Sequence, residues 1–223
     1  MSNQTRNNGK SNRGCNEPPC KKQRIVEPYY DLKLDLTAGF IARSVLICQI
    51  INCTARKVRV GSFTWNLCQI YPYADPYRQR LFGPFPNLAH QSLRPVLGSI
   101  KILSPAQNER GPSFACLHAQ YKMGKWDSTY YLESKKTDFE YRVKASKLDS
   151  YGRRVRNFQK CLVKVLFFLS KSKEFNRVIF PKFIGCGQAG GNWEDYEPLI
   201  KDFSLQVQSL PHSVRVFVIE KPK

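Results

Sequence analysis

The run Phe180-Pro181-Lys182-Phe183-Ile184-Gly185-Cys186-Gly187-Gln188-Ala189-Gly190-Gly191-Asn192-Trp193-Glu194 sets a glycine-rich turn between two apolar patterns. Before it, Val178 to Ile184 reads as a strand. After it, Trp193, Tyr196, Leu199, Ile200, Phe203 and Val207 recur at helical spacing. Residues 185–191 hold four glycines. Glycine lets a backbone approach a ligand closely, and successive N–H groups in such a turn can converge on phosphate oxygens. Asn192 is a good N-cap, and the unpaired amides and dipole of a helix start favour an anion. The bland alternative is a tight turn packed against a sheet. The junction's position in a basic chain tips the reading toward anion binding.

Working outward, Tyr30-Asp31-Leu32-Lys33-Leu34-Asp35-Leu36 alternates apolar and polar residues, the mark of a half-buried strand. Val45 to Ile51 is almost wholly apolar, as in a strand covered on both faces. Phe63 to Tyr71 predicts a short helix stopped by Pro72. Gly98–Leu103 and Ser113–Ala119 predict two more strands, and Val214–Ile219 a last one. Tyr151 to Leu169 carries Val155, Phe158, Leu162, Val165 and Leu169 on one helix face, with Arg153, Arg154, Arg156, Lys160 and Lys164 assigned to the other. Strands alternating with helices imply a layered α/β domain with a mainly parallel sheet. Two segments stand apart: the proline-containing connector 73–97, long enough to cover a ligand, and the charged, aperiodic insertion 127–148.

With 223 residues, 42% of them apolar, the chain suits one folded domain. Residues 1–26 have little to bury and predict a disordered basic tail before a domain at 27–223. The cluster Lys21, Lys22 and Arg24 is either a nuclear-import signal or nucleic-acid arm, or a merely solvated stretch. No apolar run reaches the length of a membrane span. The opening Met1-Ser2-Asn3-Gln4-Thr5 lacks a secretory segment. The expectation is an intracellular protein, nuclear or cytoplasmic, with no membrane partner. Eight cysteines show no Cys-x-x-Cys spacing, and three histidines form no ligand set, so neither a metal nor a cofactor is expected. The net charge of +19 draws polyanions.

At this point the sequence resembles a family. Ile184-Gly185-Cys186-Gly187 followed by Gly190-Gly191-Asn192-Trp193 is similar to the second ligand loop of macro domains, the ADP-ribose-binding family. The likeness is to the branch of ADP-ribose-1″-phosphate processing proteins and terminal ADP-ribose glycohydrolases. Leu34-Asp35-Leu36-Thr37 resembles that family's Gly-Asp-Ile-Thr pattern, with Leu34 replacing Gly. Gln49-Ile50-Ile51-Asn52-Cys53 resembles its apolar strand ending in Asn.

The resemblance implies a three-layer α/β/α domain with a mixed, mainly parallel central sheet. It implies that Asp35 accepts from the adenine amino group, that the Leu36 amide contacts the ring, and that Asn52 holds the distal ribose. Gly185, Cys186, Gly187, Gln188, Ala189, Gly190 and Gly191 would hold the diphosphate and distal ribose. An aromatic such as Tyr121 is a candidate cover for the ribose, or equally a core residue.

Two departures bear on chemistry. The glycine-rich first loop of the family is replaced by Thr54-Ala55-Arg56-Lys57-Val58-Arg59-Val60-Gly61, whose cations either bind phosphate or obstruct the site. The second-loop Asp of related glycohydrolases falls at Ala189. Asn52, Lys122 and Lys125 are the remaining catalytic candidates. The implied function is binding of ADP-ribose, free or attached to protein or nucleic acid. One alternative is a hydrolase of ADP-ribosyl linkages, either a glycohydrolase or a 1″-phosphatase. Another is a nucleic-acid-binding protein with a vestigial pocket, acting through its basic tail and surface. A nicotinamide-dinucleotide enzyme fits poorly, because the glycine loop lies late in the chain rather than after the first strand.

Overall fold

The structure is a computed structural model that describes residues 30–33, 43–81, 88–126 and 147–220. The elements are β1 (Tyr30–Lys33), β2 (Val45–Asn52), α1 (Phe63–Ile70), β3 (Ile100–Leu103), β4 (Ser113–Gln120), α2 (Tyr151–Lys171), β5 (Arg177–Pro181), α3 (Trp193–Gln208) and β6 (Arg215–Glu220). The strands form one sheet in the order β1-β6-β5-β2-β4-β3. Every neighbouring pair is parallel except β3 with β4. The tail, the insertion at 127–146, Asp35, Leu36 and part of the connector lie outside the described residues.

Strand alternation divides the core into two layers. Leu46, Cys48, Ala115, Leu117, Val178, Phe180, Val216 and Val218 face α2 and α3. Val45, Ile47, Phe114, Ile179 and Ile219 face α1 and its following turn at Leu67, Tyr71 and Ala74. Because both faces are covered, β2 and β4 read as continuous apolar runs rather than alternating ones. The helices on the first face lock together through Phe158 and Tyr196, whose ring centroids lie 5.0 Å apart. The result is the three-layer α/β/α arrangement implied by the resemblance. β5 is shorter than expected, ending at Pro181, because Phe183 turns the chain at φ 60°.

Arg154 corrects the expected polar face of α2. It is only 2% exposed, since it stands one turn from Phe158 and two turns from Cys161, on the apolar stripe itself. Its guanidinium forks onto Asp149, Nε to Oδ1 at 2.7 Å and Nη2 to Oδ2 at 2.6 Å. Nη1 donates to the carbonyls of Gly124 (2.9 Å) and Ala189 (2.8 Å). Asp149 also accepts from the amides of Tyr121 (3.2 Å) and Lys122 (3.0 Å). This ring of partners offsets the desolvation of both charges.

Replacing Arg154 with Met leaves Asp149 buried without its counter-charge and is expected to cost about 3–5 kcal/mol in urea unfolding. Arg153→Met, one position away on the exposed side, is expected to stay within about 0.5 kcal/mol. Equal small losses would show that the buried fork contributes nothing to stability.

Candidate functional site

Four strands end at one cleft of about 820 Å³. Ile50 and Asn52 reach it from β2, Gln120 from β4, Pro181 from β5, and Ile219 and Glu220 from β6. The carboxyl edge of an open parallel sheet is the usual place for such a site, because the connections part there. One wall is the turn after β5, lined by Lys182, Phe183, Ile184, Gly185, Gly187, Gln188 and Ala189. The other is the start of α1, lined by Ser62, Phe63 and Thr64.

Left-handed residues shape the turn after β5. Phe183 (φ 60°), Gly185 (77°) and Gly190 (70°) reverse the chain within eight residues, and Phe183 is the one non-glycine residue at positive φ among those described. The amides of Ile184, Cys186, Gly190 and Gly191 donate to the carbonyls of Pro181, Phe183, Gly187 and Gly185, at 2.8–3.0 Å. Those of Gly185, Gly187, Gln188 and Ala189 donate to no other described residue. Four backbone donors on cleft-lining residues are thus without an acceptor among the described residues.

The glycines divide into two kinds. A Cβ on Gly191 would lie 2.6 Å from the Gly185 carbonyl oxygen, and one on Gly185 would lie 2.9 Å from Ile50 Cδ1. These two let the turn pack on the sheet and on Tyr196. A Cβ on Gly190 would meet the Lys125 stem at 3.0 Å, whereas one on Gly187 would meet nothing within 4 Å. The packed-turn reading thus holds for Gly185 and Gly191, while Gly187 is left open toward the cleft. Gly190, Gly191 and Cys186 do not line the cleft. Cys186 packs against the core, and burial, with Asp195 adding to it, pushes its thiol up to about 11. It is a thiol rather than a nucleophilic thiolate at neutral pH.

The two helix starts also differ from expectation. At α3, Asn192 accepts from the Glu194 amide, and Glu194 and Asp195 occupy the first turn. That positive end is already met by the helix's own carboxylates. At α1, Ser62 Oγ accepts from the Trp65 amide at 3.1 Å, and the first turn holds no acid. The amides of Phe63 and Thr64 have no acceptor among the described residues. Sequence reasoning missed this second donor set, although Gly61-Ser62 before an apolar helix is a legible N-terminal signal.

Asn52 sits on the cleft floor, 7% exposed. Its Nδ2 donates to Tyr77 Oη at 3.0 Å and its Oδ1 accepts from the Ala55 amide at 2.6 Å. The Arg80 guanidinium lies 4.5 Å from the Tyr77 ring centroid and donates to the carbonyls of Asn52, Cys53 and Ala55. Tyr77 and Arg80 belong to the proline-containing connector, which therefore braces the end of β2. Lys57 and Arg59 are exposed at the rim, while Arg56 does not line the cleft. Lys122 is buried and Lys125 exposed; neither lines the cleft, though Met123 and Gly124 between them do. Tyr121 is a core residue beside Cys53 and Leu88, not a cover for the site. Among the described lining residues Glu220 is the one carboxylate, paired with Lys182 at 3.3 Å.

Gly191→Ala is expected to lose about 1–3 kcal/mol in thermal unfolding, since the turn's own carbonyl blocks the methyl group. Gly187→Ala should be neutral or gain up to about 1 kcal/mol by restricting the unfolded chain. The reverse order would contradict this division of the glycines.

No protein-family model matches the chain, and no curated protein does. Solved structures do. One is a Bacteroides thetaiotaomicron protein determined by X-ray crystallography for a structural genomics consortium. It is 22% identical, with a TM-score of 0.55, over 86% of this chain and 99% of that one. Another is the macrodomain of Mycobacterium tuberculosis DarG, 17% identical, with a TM-score of 0.51, over 87% of this chain and 97% of that one. The three layers, the strand order and this likeness agree: the chain has the macrodomain fold.

Proposed function

We propose that the cleft binds ADP-ribose, free or attached to a macromolecule. The observation that carries this reading is the pair of unengaged donor sets in one cleft. The amides of Gly185, Gly187, Gln188 and Ala189 lie on one wall, and the acid-free start of α1 lies on the other. Lys57 and Arg59 add positive charge at the rim. A diphosphate between these walls would replace water with oriented N–H groups. The volume suits a ligand of nucleotide size. In this pose Asn52 meets the distal ribose, and Asp35 and the Leu36 amide take the adenine, as the family resemblance implies.

Binding is favoured over turnover. A general acid or base must come within hydrogen-bond reach of the bond it serves. Ala189 offers no such group, Lys122 and Lys125 lie off the cleft lining, and Glu220 is engaged by Lys182.

Isothermal calorimetry with ADP-ribose is expected to give micromolar affinity, about −7 to −8 kcal/mol. Gly187→Glu has room for its side chain and places a carboxylate beside the free amides, so the heat should vanish while the melting temperature holds. No heat from the unaltered protein at millimolar ligand would overturn the reading.

A further inference from the structure

The exposed face of α2 carries a stripe of basic side chains. Arg153, Arg156, Lys160, Lys164 and Lys171 are all exposed, and at about 100° per residue they fall within an arc of roughly 80°. The stripe runs about 27 Å at 1.5 Å per residue. Val163 and Phe167 lie within or beside it, 60% and 67% exposed, and Lys171 Nζ stands 5.6 Å from the Phe167 centroid. The helix contains no Asp or Glu. None of the five cations makes a hydrogen bond or ion pair with a described residue.

An ordinary solvated helix mixes its charges, as the neighbouring α3 does. That helix carries Glu194, Asp195, Glu197 and Asp202, with Lys201 paired to Glu197 at 3.3 Å. The two helices pack side by side on one face of the sheet, yet all the acid is on one, and the exposed base on the other has no hydrogen-bond or ion-pair partner among the described residues.

We infer that the outer face of α2 binds single-stranded nucleic acid. The first four cations are about 4.5–6 Å apart along the axis, close enough for each to meet a phosphate of one strand. Phe167 offers an exposed ring on which an unpaired base can stack, which a closed duplex cannot supply. A membrane-surface helix would need a broad free apolar face. That of α2 is spent on the sheet through Phe158, Leu162, Val165 and Leu169. This surface is separate from the cleft and stands whether or not the cleft binds ADP-ribose.

The test uses full-length protein and fluorescence anisotropy with labelled oligothymidylate, a duplex of equal length, and phosphatidylserine vesicles. The helix variant Arg153→Gln/Arg156→Gln/Lys160→Gln/Lys164→Gln is compared with Lys10→Gln/Arg13→Gln/Lys21→Gln/Lys22→Gln, which removes the same charge near the N-terminus. At about 100 mM salt the helix variant is expected to lose at least about tenfold in oligothymidylate affinity, and its log–log salt slope should fall by roughly 3. The N-terminal variant should lose less. Phe167→Ala should weaken oligothymidylate about fivefold or more without changing the salt slope, and leave the duplex unaffected. All three variants should keep the unaltered protein's melting temperature and its response to ADP-ribose. Equal losses from both charge variants would reduce the effect to net charge and overturn the inference. So would the absence of oligothymidylate binding at low salt, or vesicle binding that alone depends on the helix residues.

Discussion

A single guanidinium, that of Arg154, ties the first turn of α2 to the two segments that flank the cleft. It meets Asp149 through two bonds and reaches the carbonyls of Gly124 and Ala189 with a third nitrogen. Asp149 in turn holds the amides of Tyr121 and Lys122. The turn after β5 makes four backbone bonds of its own and leaves four amides without an acceptor among the described residues. Its position therefore depends on this anchor and on the packing of Gly185 and Gly191 against Tyr196. Arg80 does a related task at the end of β2, where it donates to three carbonyls. A buried arginine, Arg154, and a half-buried one, Arg80, thus hold the backbone that lines the cleft.

That arrangement shows how a first loop poor in glycine still leaves the cleft open. The chain after Asn52 is drawn inward by Arg80 and by pairing of Ala55 with Leu88, and the rim cations Lys57 and Arg59 stay exposed. The cleft amides without an acceptor among the described residues lie at the start of α1 and in the turn after β5. Among the described residues the cleft is rich in backbone donors, and its one carboxylate, Glu220, is paired with Lys182.

Much of the fold was legible because each core strand and helix carries its own periodicity. Val45 to Asn52 is apolar throughout since it is covered on both faces, and α2 and α3 show clear stripes. The glycine-rich turn was legible as a candidate ligand loop, because glycines at a strand-to-helix junction let the backbone come close to an anion. What stayed hidden depends on contacts distant in sequence. The spacing of Arg154 from Phe158 and Cys161 put it on the apolar stripe, but the loop carbonyls of Gly124 and Ala189 that receive it lie 30 and 35 residues away. The offset of the α3 dipole by Glu194 and Asp195 was readable from the sequence, but the open start of α1 gains meaning only when β2 and β6 bring it to the cleft. Nor could the spacing of four glycines reveal that Gly187 is open while Gly191 is hemmed in by a carbonyl.

The most direct test of this account is an amide-resolved NMR titration of the protein with ADP-ribose. The account predicts that the amide signals of Gly185, Gly187, Gln188, Ala189, Phe63 and Thr64 move together along one saturation curve, while those along the exposed face of α2 stay in place. Saturable shifts elsewhere, with these six amides unmoved, would contradict it.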